Sequence, residues 1–347
     1  MGWWRKVLGR AVGASDRPPP LPTADYYFLG GIDDLVAAGS QPSAARPVAR
    51  LGPNSWAHGD RLVIIRYLTA EEAEAVEARR WRSVHYVVDD LLPAAAASDE
   101  LPADYRSRLS RFVATMLPRI LALGPVIVAP SAAILDAFPG FERVRLDPCC
   151  LALRGGPLPP PTPFEGRLEI AFLGTRSHAG TLPLLARVAA RLEAAGCETR
   201  LHLYFGRHLP REIAASRTIV NHDPVPWAQF RDFCGRTKFH VALAPVQDTP
   251  FARARSITKV MDHAAVGAAG IYSDRAPFAG SVTHAVDGLL VGDDAIDWAD
   301  AVLHLAREPE RMARLAAAGA TLAATLGDPR RVRDFWIATL GLDPSVT

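Results

Sequence analysis

The chain has 347 residues, of which 49% are apolar and 22% charged, and 39 basic against 37 acidic side chains leave a formal net charge of +2. That is ordinary globular composition with room for two domains, and the near balance argues against a dedicated nucleic-acid binder, which carries a clear basic excess. No stretch approaches the ~20 apolar residues that span a bilayer, and Cys149, Cys150, Cys197 and Cys234 lack the paired spacing of a zinc site, so they read as reduced thiols of a cytoplasmic protein.

Residues 1–13 set Trp3, Trp4, Val7, Leu8 and Val12 on one helical side, with Arg5, Lys6 and Arg10 nearby. Without a long apolar region or cleavage site this is no signal peptide. It suits peripheral contact with a membrane surface, at the inner face for a cytoplasmic protein, or a helix packed on its own domain. Pro18, Pro19, Pro20 and Pro22 close it off, and residues 1–20 read as an N-terminal segment and linker.

Residues 21–153 then alternate short apolar runs with helical patterns. Tyr26 to Leu29 reads as a strand ending at Gly30-Gly31, Arg61 to Leu68 as a second and Val84 to Val88 as a third that ends at Asp89-Asp90. Pro125 to Ala129 and, more weakly, Val144 to Leu146 follow. Helical patterns cover Glu71 to Arg80 and Tyr105 to Leu123, the latter broken at Pro118. Asn54 to His58 reads as a loop. Five prolines and three glycines between Arg154 and Gly166 mark an interdomain linker.

The alternation restarts over residues 167–327. Strands are expected at Leu168–Leu173, Thr199–Phe205, Phe239–Ala244, Gly270–Tyr272 and Gly288–Val291. Helices are expected at Leu182–Ala195, Trp227–Cys234, Ser256–Val266, Trp298–Arg307 and Pro309–Leu326. Residues 328–347 begin with one more helical pattern, over Asp328–Leu340, placed to pack back on the first domain. The fold class is therefore α/β, two doubly wound Rossmann-type domains facing across a cleft.

Two segments carry candidate chemistry. In Phe172 to His178, Gly174 allows close backbone approach, Thr175 and Ser177 offer donors and Arg176 adds charge, a set suited to phosphate or simply to a βα turn. In Asp248 to Asp274, Arg253, Arg255 and Lys259 crowd a loop and helix start, where cations oppose the helix dipole unless an anion sits between them. Arg255 and Lys259 share a face if the helix starts early enough, and Asp262 lies nearly on it. Two cations for a diphosphate and one carboxylate for ribose hydroxyls describe a nucleotide-diphosphate site. A solvated basic loop with an i,i+3 salt bridge describes the same residues. The chain has no HExxH, GxSxG or GxxxxGK[ST] motif, and no GxGxxG after its first strand.

Phe251 through Asp274, then Pro277-Phe278, Asp287 to Val291 and Glu308-Pro309-Glu310, resembles the C-terminal half of the retaining glycosyltransferases of GT-B fold, the glycosyl transferases group 1 or family 4-like group. The Gly174 to His178 loop looks like their first phosphate-side loop. The resemblance implies a glycosyltransferase of hexosyltransferase type, retaining, without metal or cofactor, acting in polysaccharide or glycolipid synthesis. Its partners would be a nucleotide-diphosphate sugar and a hydroxyl-bearing glycan or lipid-linked acceptor. It implies catalytic roles for Arg255, Lys259 and Asp89, and donor binding by Gly174, Thr175, Arg176, Asp262, Ser256 and Arg253. Asp90, Arg66 and His58 become acceptor-side candidates. Two departures stand out: Asp262 replaces the usual Glu, and Ala254 stands where many members carry a donor-sugar Glu. They keep open a degenerate binding module that supports a partner transferase, or another nucleotide-sugar enzyme such as an epimerase or hydrolase.

Overall fold

The computed structural model describes residues 21–343, so the readings made for residues 1–13 lie outside it. The described chain forms two six-stranded sheets. In the first, β1 (Ala49–Arg50), β2 (Ser55–His58) and β3 (Arg61–Ile65) pair antiparallel. β3 then continues in parallel into β4 (Ser83–Val87), β5 (Val126–Ala129) and β6 (Arg143–Arg145).

Chain order and spatial order coincide in this sheet, so right-handed crossovers place every connecting helix on one face. Those helices are α2 (Ala70–Glu77), α3 (Leu92–Ala97), α4 (Ala103–Thr115), α5 (Leu117–Ala122) and α6 (Ala132–Asp136). Leu62, Ile64, Tyr86 and Ile127 pack beneath them. Alternation along each strand sends Val63, Ile65, Val87 and Val128 to the opposite face, where no crossover can cover them.

Two other segments cover that face. α1 is a helical run through Pro22–Ala24, Asp25–Leu29, Gly30–Ile32 and Asp33–Leu35 whose second turn is a π-helix. It corrects the strand expected at Tyr26 to Leu29. The apolar run is buried in every direction, Tyr27 and Phe28 completely, and a short all-buried run fits strand and helix alike. The second segment is the last helix, α14 (Pro329–Leu340). Trp336 is fully buried against Phe28 and its indole N–H donates to the Tyr27 carbonyl, while Arg333 pairs bidentately with Asp34.

The second sheet is parallel throughout, in the order β12-β11-β10-β7-β8-β9. Its strands are β7 (Leu168–Ala171), β8 (Thr199–Leu203), β9 (Ile219–Asn221), β10 (Val241–Ala244), β11 (Ala269–Ser273) and β12 (Leu289–Val291). α7 (Leu182–Ala194), α8 (Arg211–Ala214), α9 (Trp227–Arg236), α10 (Pro250–Arg253), α11 (Thr258–Ala265), α12 (Ala295–Arg307) and α13 (Pro309–Leu326) join and cover them. From β7 the chain moves outward through β8 and β9, then returns to β10 beside β7 and moves the other way. That reversal is the topological switch point of the Rossmann order. β9, β1 and β2 are too short for their apolar pattern to stand out, and β2 replaces the loop expected at Asn54 to His58.

One core position is costly. His263 in α11 is 1% exposed, stacks on Tyr272 with centroids 5.1 Å apart, and neither ring nitrogen has a hydrogen-bond partner. Burial, then the Lys259 charge, push its pKa well below the usual 6.5. A depressed histidine is neutral when folded but takes up a proton near pH ~6.5 when unfolded. Its contribution is therefore present above that pH and lost as the pH falls through it.

Trp336→Ala should cost about 3–5 kcal/mol and lower Tm, because it opens a cavity between α1 and the first sheet. Urea unfolding at pH 7.5 and 5.5 should show the parent losing stability on acidification and His263→Leu losing less.

Candidate active site at the switch point

After β7 the chain runs through Phe172, Leu173 and Gly174 to Thr175, then makes a 3₁₀ turn, Arg176–Thr181, ahead of α7. Thr175 and His178 cap this turn reciprocally. The Thr175 carbonyl accepts from the His178 N–H at 2.7 Å, and His178 Nδ1 accepts from the Thr175 N–H at 3.3 Å. After β10, Thr249 caps α10, Phe251 buries in the first domain's core, and Arg255 and Ser256 lead into α11.

The two segments meet because they leave adjacent strands. Lys259 Nζ donates to the Leu173 carbonyl at 2.6 Å, and Arg255 reaches the Ser177 carbonyl at 3.5 Å. Arg255 lies over the Phe251 ring, 4.6 Å from its centroid, and forms no ion pair among the described residues. Half-buried His178 lies close enough to feel both of these cations. Burial, then the Arg255 and Lys259 charges, hold its pKa well below the ordinary value. The outcome is a cradle of two cations and a neutral imidazole around one polar loop.

Asp262 stands next to this cradle, 5% exposed, with both oxygens engaged. Oδ2 pairs with Lys259 at 2.9 Å, and Oδ1 accepts from the Tyr26 hydroxyl of α1 at 2.7 Å. Burial and the adjacent carboxylate push the Tyr26 hydroxyl well above its usual pKa, so it remains a donor. The Tyr26 ring tilts against Trp227, whose indole N–H donates to Asp25 at 2.6 Å.

On the first domain's side, Arg66 follows β3 at φ 58°, a left-handed conformation unusual for a non-glycine residue. The turn delivers its guanidinium to Asp89 at 2.8 Å and to Asp90. Thr23 of α1 donates to the other Asp89 oxygen at 2.9 Å. Burial raises the Asp89 pKa, opposed by the Arg66 charge.

A cavity of about 490 Å³ opens where the domains face each other, between Ala94, Ser98 and Glu100 on one side and Gly180, Gln247 and Phe251 on the other. Thr249 bonds Glu100 beside it, Ser131 donates to the Ala254 carbonyl at 2.8 Å, and Arg176 forks onto Asp104 at 2.6 and 3.1 Å. A second cavity, about 340 Å³, lies behind Asp262 and Tyr26, near Cys150, Phe230 and Lys238. No helix among the described residues is long and apolar enough to cross a membrane, and no metal-binding cluster occurs among them.

The chain matches TarM of S. aureus with a TM-score of 0.54, at 10% identity, over 74% of this chain and 50% of that one. It matches sucrose-phosphate synthase of Thermosynechococcus elongatus with a TM-score of 0.54, at 12% identity, over 80% and 73%. Anabaena HepE, solved with UDP-glucose, matches with a TM-score of 0.53, at 11% identity, over 80% and 78%. This is the GT-B fold. The chain spans only half the length of TarM. No protein-family model matches the sequence, and neither does any curated protein sequence.

Within the GT-B frame, the expected residues separate into three groups. Arg255, Lys259, Thr175 and Ser256 gather at the switch point, although α11 starts at Thr258, so Arg255 precedes the helix instead of sharing its face. Ser256 lies just ahead of that start, its hydroxyl accepting from Thr258 N–H at 3.3 Å. A second group is occupied elsewhere. Arg176 reaches across to Asp104, and Arg253, exposed, pairs with Asp248. Gly174 leaves room for the Phe172 ring, 2.3 Å from where a Cβ would stand. Asp262 is held by Lys259 and Tyr26 and presents no free oxygen. In the third group, Asp89 and Asp90 bind Arg66 and do not cap α3, whose N-cap is Leu91 with no side-chain bond. His58 ends β2 and bonds the Pro47 carbonyl at 3.0 Å, a structural contact. The sequence reading missed Tyr26, Trp227 and His178. The pattern Asp25-Tyr26-Tyr27 before a buried run was the one available signal, since buried tyrosines seek partners for their hydroxyls.

Tyr26→Phe should cost about 1.5–3 kcal/mol, the range for a hydrogen bond to a charged group. Differential scanning calorimetry against the parent checks it.

Proposed function

We propose that this chain is a glycosyltransferase that moves a sugar from a nucleotide-diphosphate sugar to a hydroxyl acceptor. The observation that carries the proposal is the Arg255 guanidinium. It is half-buried and, among the described residues, without a carboxylate partner, beside Lys259 and a polar loop at a Rossmann switch point. Such a position favours an anionic ligand. A diphosphate leaving group could spread its developing charge over Arg255 and Lys259, preorganised in a partly water-excluded cleft. In this reading transfer is of hexosyl type, retains configuration, needs no metal or cofactor and serves polysaccharide or glycolipid assembly. The acceptor approaches from the Arg66, Asp89 and Asp90 side. Binding of UDP-glucose by Anabaena HepE supports the donor class.

A second reading has its own observation. Asp262 is buried with both oxygens already bonded, and buried Ala254 gives the site no second carboxylate. This favours a nucleotide-sugar-binding module that supports a partner transferase, and it predicts binding without turnover.

Thermal shift and calorimetry with UDP, GDP, ADP and their sugars should find one base class bound, since a ligand of the native state raises its stability by mass action. Arg255→Met should weaken that binding at least tenfold. Product analysis with the bound donor then separates transfer from binding alone. Absence of binding by every nucleotide at millimolar concentration would rule out both readings.

A further inference from the structure

Resting on that donor-site reading, we infer that His178 is a proton-coupled ligand of the donor diphosphate: it binds the anion as an imidazolium and takes its proton from solvent on binding. The resting ring is neutral by geometry. Nδ1 accepts from the Thr175 N–H at 3.3 Å, so the ring proton is on Nε2, which has no hydrogen-bond partner among the described residues. Arg255 and Lys259 on the facing segment disfavour a third positive charge beside them. The other groups near the ring are Thr175 and Ser177 of its own loop and the Phe172 edge, with centroids 6.1 Å apart. None of these can neutralise an imidazolium.

A diphosphate reverses that balance by bringing two negative charges between the cations. Protonation then reorganises the loop at no cost in unpaired groups. Nδ1–H turns to the Ser177 hydroxyl, 3.2 Å away, and the Thr175 N–H it releases becomes a second donor to the anion, beside Nε2–H. One proton thus turns a capped turn into an anion-binding loop. The proton comes from the buffer, and no bond to phosphorus is made or broken in the step.

The competing account makes His178 only a cap, standing where capping boxes commonly carry Glu or Gln. His178→Gln separates the two, because glutamine keeps the cap and does not titrate. The probes are UDP-glucose, GDP-mannose and ADP-glucose, whose diphosphates are esterified at both ends and so do not themselves titrate near neutrality. Calorimetry between pH 5.5 and 7.5, in buffers of different ionisation heat, reads both affinity and protons taken up. The parent should bind one of the probes with proton uptake, and its affinity should rise as the pH falls, by at most about tenfold per pH unit for one proton. His178→Gln should keep the parent's Tm, lose the proton uptake and bind with flat pH dependence. Binding by the parent without proton uptake, or uptake that persists in His178→Gln, overturns this role and leaves the donor site standing. Failure of all three probes to bind the parent overturns the donor site and this role together.

Discussion

Asp262 is the contact on which the rest of the site depends. A carboxylate excluded from water costs several kcal/mol unless charge and hydrogen bonds replace its hydration. The Lys259 ammonium and the Tyr26 hydroxyl do so from two directions. Lys259, held there, also reaches the Leu173 carbonyl and pins the loop after β7. Tyr26, held there, anchors α1, and α1 delivers Thr23 to Asp89. One buried charge thus sets the spacing between the loop after β7, α11 and the Asp89–Asp90 pair.

The topology explains why a segment as distant as α1 is available for this task. In the first sheet all crossovers lie on one face, and the other must be closed by segments that do not connect its strands. α1 and α14 meet there around Phe28 and Trp336. α14 arrives directly from the second domain, and α1 reaches that domain through Trp227 and Asp262. The need to bury Val63, Ile65, Val87 and Val128 is also what joins the two domains.

Much of this was legible in the sequence. The α/β alternation was visible because strands such as β3 and β10 are continuous apolar runs between helices, as central parallel strands must be. The cluster of Arg255, Lys259 and Asp262 was visible because helical spacing and charge are local properties. The partners of those charges were not. Whether Arg176 faces a ligand or Asp104 depends on how two domains close, and no spacing along the chain encodes that. Tyr26 to Leu29 was misread because a segment buried on all sides has no polar face, and periodicity needs one to tell a helix from a strand.

The shared face of α1 and α14 also bears on how the protein comes into being. The strands β3 to β5 are complete once Ala129 has been made, yet one of their faces waits for residues beyond Pro329. At ~5–20 residues per second on the ribosome, that wait is about 10–40 s. Throughout it Val63, Ile65, Val87 and Val128 lack half of their cover, while every strand of the second sheet is emerging. The second domain can therefore reach its final packing before the first, although it is made later.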